Sequence, residues 1–212
     1  MLIQAVPAWV AQTNAYIVAD EPHGLAVIVD APPEPDAIGA VLIQHDLSVA
    51  AVLLTHGHVD HTGGSGQLAR ATGGTVYVHP DDDFLTLHPA EQLRAMFGMS
   101  PPGVYDIPDK FEALTDGQTL DIAGLSFDVR HTPGHTPGHC CFFLEDHGTL
   151  FSGDQLFAGS IGRTDLPGGS FPALMTSMKE RVLILPDETR VLPGHGPETT
   201  IGRERATNPF LS

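Results

Sequence analysis

Cysteine is nearly absent from this chain of 212 residues, and its only two, Cys140 and Cys141, are neighbours. Adjacent cysteines are badly placed to bridge each other, so no disulfide framework is available and the expected compartment is the reducing cytoplasm. Basic residues are scarce as well, with 10 Lys and Arg against 26 Asp and Glu and a formal net charge of -16. Such a chain repels phosphate backbones and anionic bilayers, so neither nucleic acid nor membrane is an expected partner. No apolar run approaches the roughly eighteen residues of a membrane span. The opening stretch "MLIQAVPAWVAQTNAYIVAD" has neither the basic start nor the unbroken apolar centre of a signal peptide.

Apolar residues and histidine are what the chain does have. At 42% hydrophobic it can bury a full core, and its length suits a single domain over 1–212. Histidine, at 12, outnumbers Lys and Arg together, and most of it lies in loops between apolar segments, where chemistry concentrates. The runs "LIQAV", "AYIVA" and "LAVIVD" read as successive strands. "EPDAIGAVLIQHD" carries Ile38, Val41 and Leu42 at helical spacing, and "VAAVLLTH" reads as a buried strand. "SGQLARATGG" and "PAEQLRAMFG" read as helices on either side of the strand "TVYVH". The Pro- and Gly-rich stretch 98–111 breaks both periodicities and reads as a loop. Beyond Gln118 come two hairpins, "QTLDIAG" with "LSFDVRH" and "HCCFFLED" with "GTLFSGD". The helix "FPALMTSMKERVLIL" and a last short strand in "TRVLPGHG" follow. Strands followed by helix in each half favour two sheets packed face to face with helices outside.

Four loops follow strand-like runs: "THGHVDH", "HTPGHTPGH", "FSGD" and "PGHG". Strand ends on one side of a sandwich converge, so ligands distant in sequence can meet there. Imidazole and carboxylate suit zinc, and two ions need about six or seven such ligands between them. In "HGHVDH" an extended His-x-His pair sends both rings to one side, after which the chain turns and sends Asp60 and His61 toward a neighbouring position. Any one loop histidine taken alone is better read as a satisfied turn residue, and an N-cap for the following helix is the lesser reading of Asp60. Spacing alone leaves His131, His135 and His139 equally available as ligands.

The run Thr55-His56-Gly57-His58-Val59-Asp60-His61 resembles the Thr-His-x-His-x-Asp-His signature of the metallo-β-lactamase superfamily, and the three later loops resemble its further metal loops in the right order. The resemblance implies an α/β four-layer αβ/βα sandwich. It also implies one metal on His56, His58 and His135, a second on Asp60, His61 and His195, and Asp154 bridging them. His139 then supports the site from behind, and His131 is structural.

Two divalent ions, zinc first with iron or manganese as alternatives, would supply a hydroxide for attack on an activated acyl group. Asp60 would orient it. "GDQLFAGSIGRTDLPGG" resembles the glyoxalase II-like branch, which cleaves hydroxyacyl thioesters of glutathione, and Arg163 stands where that branch carries a basic residue for the glutathione carboxylate. The resemblance leads one to expect a C-terminal helical domain, for which the sequence to Ser212 leaves no room, and aromatic contacts where the chain has Thr164, Asp165 and Pro197. The reading is therefore a metal-dependent thioesterase acting on a small acyl thioester. Its alternatives are a mononuclear-iron enzyme resembling persulfide dioxygenases, a lactonase, and a metal-stabilised binding module.

Overall fold

Apolar runs buried on both faces set the architecture of the computed structural model, which describes residues 1–211 and only the backbone of Met96 and Phe97. Ser212, the end of the expected domain, lies outside the described residues. The first half folds as β1 (Leu2–Ala8), β2 (Thr13–Ala19), β3 (Leu25–Val29), α1 (Pro35–Gln44), β4 (Ser48–Leu53), α2 (Val59–Thr62), α3 (Ser65–Thr72), β5 (Thr75–Val78), α4 (Asp83–Thr86), α5 (Pro89–Phe97) and β6 (Glu112–Ala113). The second half holds β7 (Thr119–Ile122), β8 (Leu125–His131), β9 (Cys140–Leu144), β10 (Thr149–Gly153), β11 (Leu156–Phe157), β12 (Ser160–Ile161), α6 (Phe171–Ser177), β13 (Arg190–Pro193), β14 (Thr199–Thr200) and α7 (Ile201–Thr207).

Two sheets of six strands result, in the orders β1-β2-β3-β4-β5-β6 and β14-β13-β10-β9-β8-β7. The first is antiparallel from β1 to β3 and parallel from β3 to β6. In the second, β10 and β13 are parallel and the other pairs antiparallel. This is the expected four-layer αβ/βα sandwich. Alternation along the strands assigns each face. Val27, Val29 and Leu53 meet Phe127, Phe142 and Phe151 between the sheets. Ala26, Ile28 and Val52 turn outward onto Ile38, Leu42 and Leu68 of α1 and α3. Cys141 and Phe143 turn the other way, onto Leu174 and Met178. Because both faces are covered, these strands read as continuous apolar runs rather than alternating ones. Cys140 and Cys141 point to opposite faces; burial raises both thiols, Cys141 to about 12, so both are inert core residues.

Three details differ from the sequence reading. The strand in "TRVLPGHG" is not the last: β14 pairs with it and α7 follows. The helix begun at Phe171 changes to a wider π-helical turn over Met178–Val182. A small hairpin, β11 with β12, lies between the second sheet and α6. The 98–111 stretch contains no regular element and ties down the start of α3: Asp106 N donates to Gly63 O, and Gly66 N to Asp106 O.

Candidate metal centre

The C-terminal ends of β4, β8, β10 and β13 all reach the same edge of the sandwich, which is why four distant loops meet. Backbone bonds join the sheets there, Cys140 N donating to Thr55 O at 2.7 Å and Asn14 N to Gly194 O at 2.8 Å, while within the second sheet Gly194 N donates to Gly153 O at 2.8 Å. Gly194 permits a close approach, since a Cβ on it would overlap Asp154 Oδ1 and His61 Cε1.

All seven side chains singled out in the sequence are gathered at this edge. His56 Nε2 lies 3.0 Å from His58 Nδ1 and 3.2 Å from His135 Nε2, and the latter two are 2.9 Å apart. His61 Nε2 lies 3.3 Å from His195 Nε2, and Asp60 Oδ2 is 3.5 Å from the first and 3.3 Å from the second. Asp154 stands between the two groups, Oδ1 3.4 Å from His61 Nε2, and Oδ2 3.5 Å from His135 and 3.6 Å from His195.

Hydrogen bonds on the far sides of the rings fix which nitrogen carries the proton. His135 Nδ1 donates to Arg163 O at 2.8 Å, and His61 Nδ1 to Asp30 Oδ2 at 2.7 Å. Thr55 gives its hydroxyl proton to Asp30, so its oxygen accepts from His56 Nδ1 at 3.0 Å. His56 and His135 therefore turn an unprotonated Nε2 inward, the arrangement that outer partners impose on metal-binding histidines, and His61, its Nδ1 spent on Asp30, presents Nε2 to the centre.

Charge follows the same division. Burial lowers His56 far below its ordinary value, His58 to about 3 and His135 to about 4, with neighbouring imidazoles adding to it at His56 and His58. This trio is neutral at pH 7. Burial opposes charge on His61 and Asp60 too, but their mutual attraction wins: Asp60, Asp30 and Asp154 raise His61 to about 10, and His61 and His195 hold Asp60 well below the usual carboxylate range. Asp154 is raised by burial against the pull of His61 and His195.

The arrangement fits two cations. A tetrahedral ion with bonds of about 2.0–2.1 Å holds its donors about 3.3 Å apart, close to the spacing of both triplets. Three inward lone pairs at van der Waals contact repel one another unless a cation lies among them. Asp154 Oδ1 is buried with no hydrogen-bond partner among the described residues, a costly state that a metal bond would relieve.

The structure adds positioning residues that the sequence reading missed. Asp30 closes the apolar run of β3, and an acid at the end of a buried strand was the available signal. Asp82 is fully buried and ties two loops together, accepting from Gly57 N (2.7 Å), Thr136 Oγ1 (2.7 Å) and Gly138 N (2.6 Å). Gln92 accepts from Val59 N and donates to Gly57 O and Leu85 O. Neither stands out in "HPDDD" or in its helix. His139 accepts from Asp154 N at 3.1 Å, behind the site, while His131 stacks on His79 and donates to Pro137 O. Arg163 borders the metal pocket, a cavity of about 360 Å³, but its guanidinium makes two 2.7 Å bonds to Asp165.

The Metallo-beta-lactamase superfamily model matches residues 8–195. The hydroxyacylglutathione hydrolase GloC of Haemophilus influenzae is 34% identical over 212 residues, covering 100% of this chain and 99% of its own. The crystal structure of the B3 metallo-beta-lactamase BLEG-1 superposes with a TM-score of 0.91 at 37% identity, covering 100% of both chains. That of TTHA1623 in a di-iron-bound form gives 0.87 at 42% identity, covering 98% of this chain and 100% of the other.

Proposed function

The chain belongs to the metallo-beta-lactamase superfamily, and from that premise we propose that it is a binuclear metallo-hydrolase that cleaves acyl thioesters to a carboxylic acid and a free thiol. The observation that carries the reading is the pair of donor triplets joined by Asp154, with imidazole nitrogens turned inward in both. His56, His58 and His135 would hold one ion, Asp60, His61 and His195 the other, and Asp154 both. Bound there, zinc or iron supplies a water acidic enough to attack near neutral pH and an electrophile for the acyl carbonyl. The di-iron relative keeps iron beside zinc as a resident metal.

The chain's own groups direct the rest. Asp60 is ionised and anchored at Oδ2 by Thr13 Oγ1, 3.1 Å away, and would orient the attacking water. The pocket wall is His58, Asp60, His135, Asp154, Phe157, Ile161, Arg163, Leu166 and His195. Once the imidazoles and carboxylates are ligands, the remaining polar side chain of that wall is Arg163, held by Asp165, and a guanidinium gives up no proton at neutral pH. The leaving group must therefore depart as an anion. A thiolate, with a conjugate pKa of about 8.5, does so readily; an amine or alkoxide does not. This favours thioesters over lactams and lactones. The GloC likeness points to the same reaction class. No helix of the described residues could cross a membrane, and free Cys140 and Cys141 support a reducing, cytoplasmic setting for a one-domain enzyme.

A mononuclear-iron reading has one observation in its favour: His56, His61 and Asp154 form a two-histidine, one-carboxylate group. Thiol release from a neutral acyl thioester decides between them. The metal-replete protein should release thiol, lose the activity to a chelator and regain it with zinc. Oxygen uptake without thiol release would overturn the hydrolase reading.

A further inference from the structure

Beside the metal pocket, and sharing His58 and Leu166 with it, a second cavity of about 240 Å³ runs between the α4–α5 segment and the loop after β12. Phe84, Leu85, Ala95, Leu166 and Pro167 make its walls. We infer that this cleft holds an uncharged, apolar arm of the substrate, so the chain selects thioesters with a hydrocarbon arm over those of anionic thiols. The inference rests on the thioesterase reading above and narrows its substrate class.

Size and polarity support it together. The space equals about eight waters at roughly 30 Å³ each and falls below the roughly 300–1,000 Å³ of sites that enclose a whole drug-sized ligand. It suits an arm, not a whole molecule. Apart from the rings of His58 and His88, the polar residues at the cleft offer an anion nothing. The Gln92 amide is fully used in holding Val59 N, Gly57 O and Leu85 O. At the rim Glu91 faces His88 at 3.9 Å and would repel a carboxylate. Among the described residues no Lys or Arg lines the cleft, and Arg163, next door, is held by Asp165. Phe84, a large ring left 45% exposed, gains most from being covered. Continuity with the metal pocket makes a substrate arm the natural occupant.

The test uses the full, metal-loaded chain. Alkyl methyl thioethers, which have no scissile bond, are titrated by ligand-observed NMR over chains of up to about eight carbons. Their Kd should fall about fourfold per methylene, the equivalent of about 0.8 kcal/mol each, until the cleft is full. Two neutral thioester series, one lengthened in the acyl group and one in the thiol, are then compared with the same acyl groups on glutathione. The series whose kcat/KM rises with length identifies the arm. Ala95→Glu, which places a carboxylate in the cleft, should flatten the thioether slope, whereas Ile43→Glu, on the exposed side of α1, should leave it unchanged. Kd values independent of chain length, or a slope untouched by Ala95→Glu, would overturn the cleft assignment even if thioesters are hydrolysed. Chain-length-dependent thioether binding with no thioester hydrolysis would uphold the apolar cleft and overturn the thioesterase reading alone.

Discussion

Replacing Asp30 by Asn alters the metal centre while leaving all seven candidate ligands in place. Asp30 Oδ1 accepts from Thr55 N at 2.8 Å, and Oδ2 accepts from His61 Nδ1 at 2.7 Å and Thr55 Oγ1 at 2.9 Å. Its φ of 61° is one that Asn also tolerates, so the backbone need not move. An amide retains one acceptor oxygen. When that oxygen serves Thr55, the NH2 faces His61 Nδ1, which can keep the contact only by accepting, and the ring proton moves to Nε2. That is the nitrogen facing His195 and Asp154, and once protonated it has no lone pair for a metal. Loss of such an outer partner costs roughly 10–100-fold in metal affinity, or about 1.4–2.7 kcal/mol. His56 is held through Thr55, which keeps its acceptor, so the loss falls on the ion at Asp60, His61 and His195. Competition with a chromophoric chelator should show one stepwise Kd rising by that factor and the other nearly unchanged. Two unchanged constants would refute the tautomer argument, and equal weakening of both would make Asp30 a support of the whole loop.

In the metal-free protein, the lowered values of His56, His58 and His135 mean that the unfolded chain binds more protons than the native one below about pH 6.5. Stability should therefore fall from there toward pH 4. His61, raised to about 10, acts oppositely: its contribution is complete below about pH 6.5 and is lost as pH rises through 10. Melting in chelator should thus peak near neutrality, and a profile that rises steadily to pH 9.5 would contradict the assignment. Asp154→Ala should reduce the content of both ions, while Asp128→Ala, whose carboxylate meets Arg130 on β8, should keep both; retention of two ions by Asp154→Ala would remove the bridge. Asp165→Ala frees the Arg163 guanidinium and should raise kcat/KM for a carboxylate-bearing thioester by up to about fivefold without helping a neutral one. No gain would mean that the guanidinium does not reach the substrate.

The strands were legible because burial on both faces leaves apolar runs such as "VAAVLLTH" that little else produces, and the seven candidate ligands because four histidine- or aspartate-bearing loops each follow such a run. The C-terminal helix was not. Its anchor is polar: Glu204, fully buried, accepts from Thr199 Oγ1, Gly159 N and Asn208 Nδ2. Hydropathy reads a glutamate among arginines as a solvated face. Asp82 was hidden for a related reason, since "HPDDD" offers three equivalent acids and only the fold turns one inward to join two loops. Arg163 was visible as a cation but not as one already held by Asp165, two residues on.

The most direct test of the account is the metal-to-protein ratio of the zinc-replete chain, measured by elemental mass spectrometry alongside thioester hydrolysis during stepwise reloading of the metal-free protein. Two ions per chain are expected, with hydrolysis rising to its full value as the second is taken up. A single iron per chain that zinc neither joins nor displaces, with no thioester cleaved, would contradict the binuclear hydrolase.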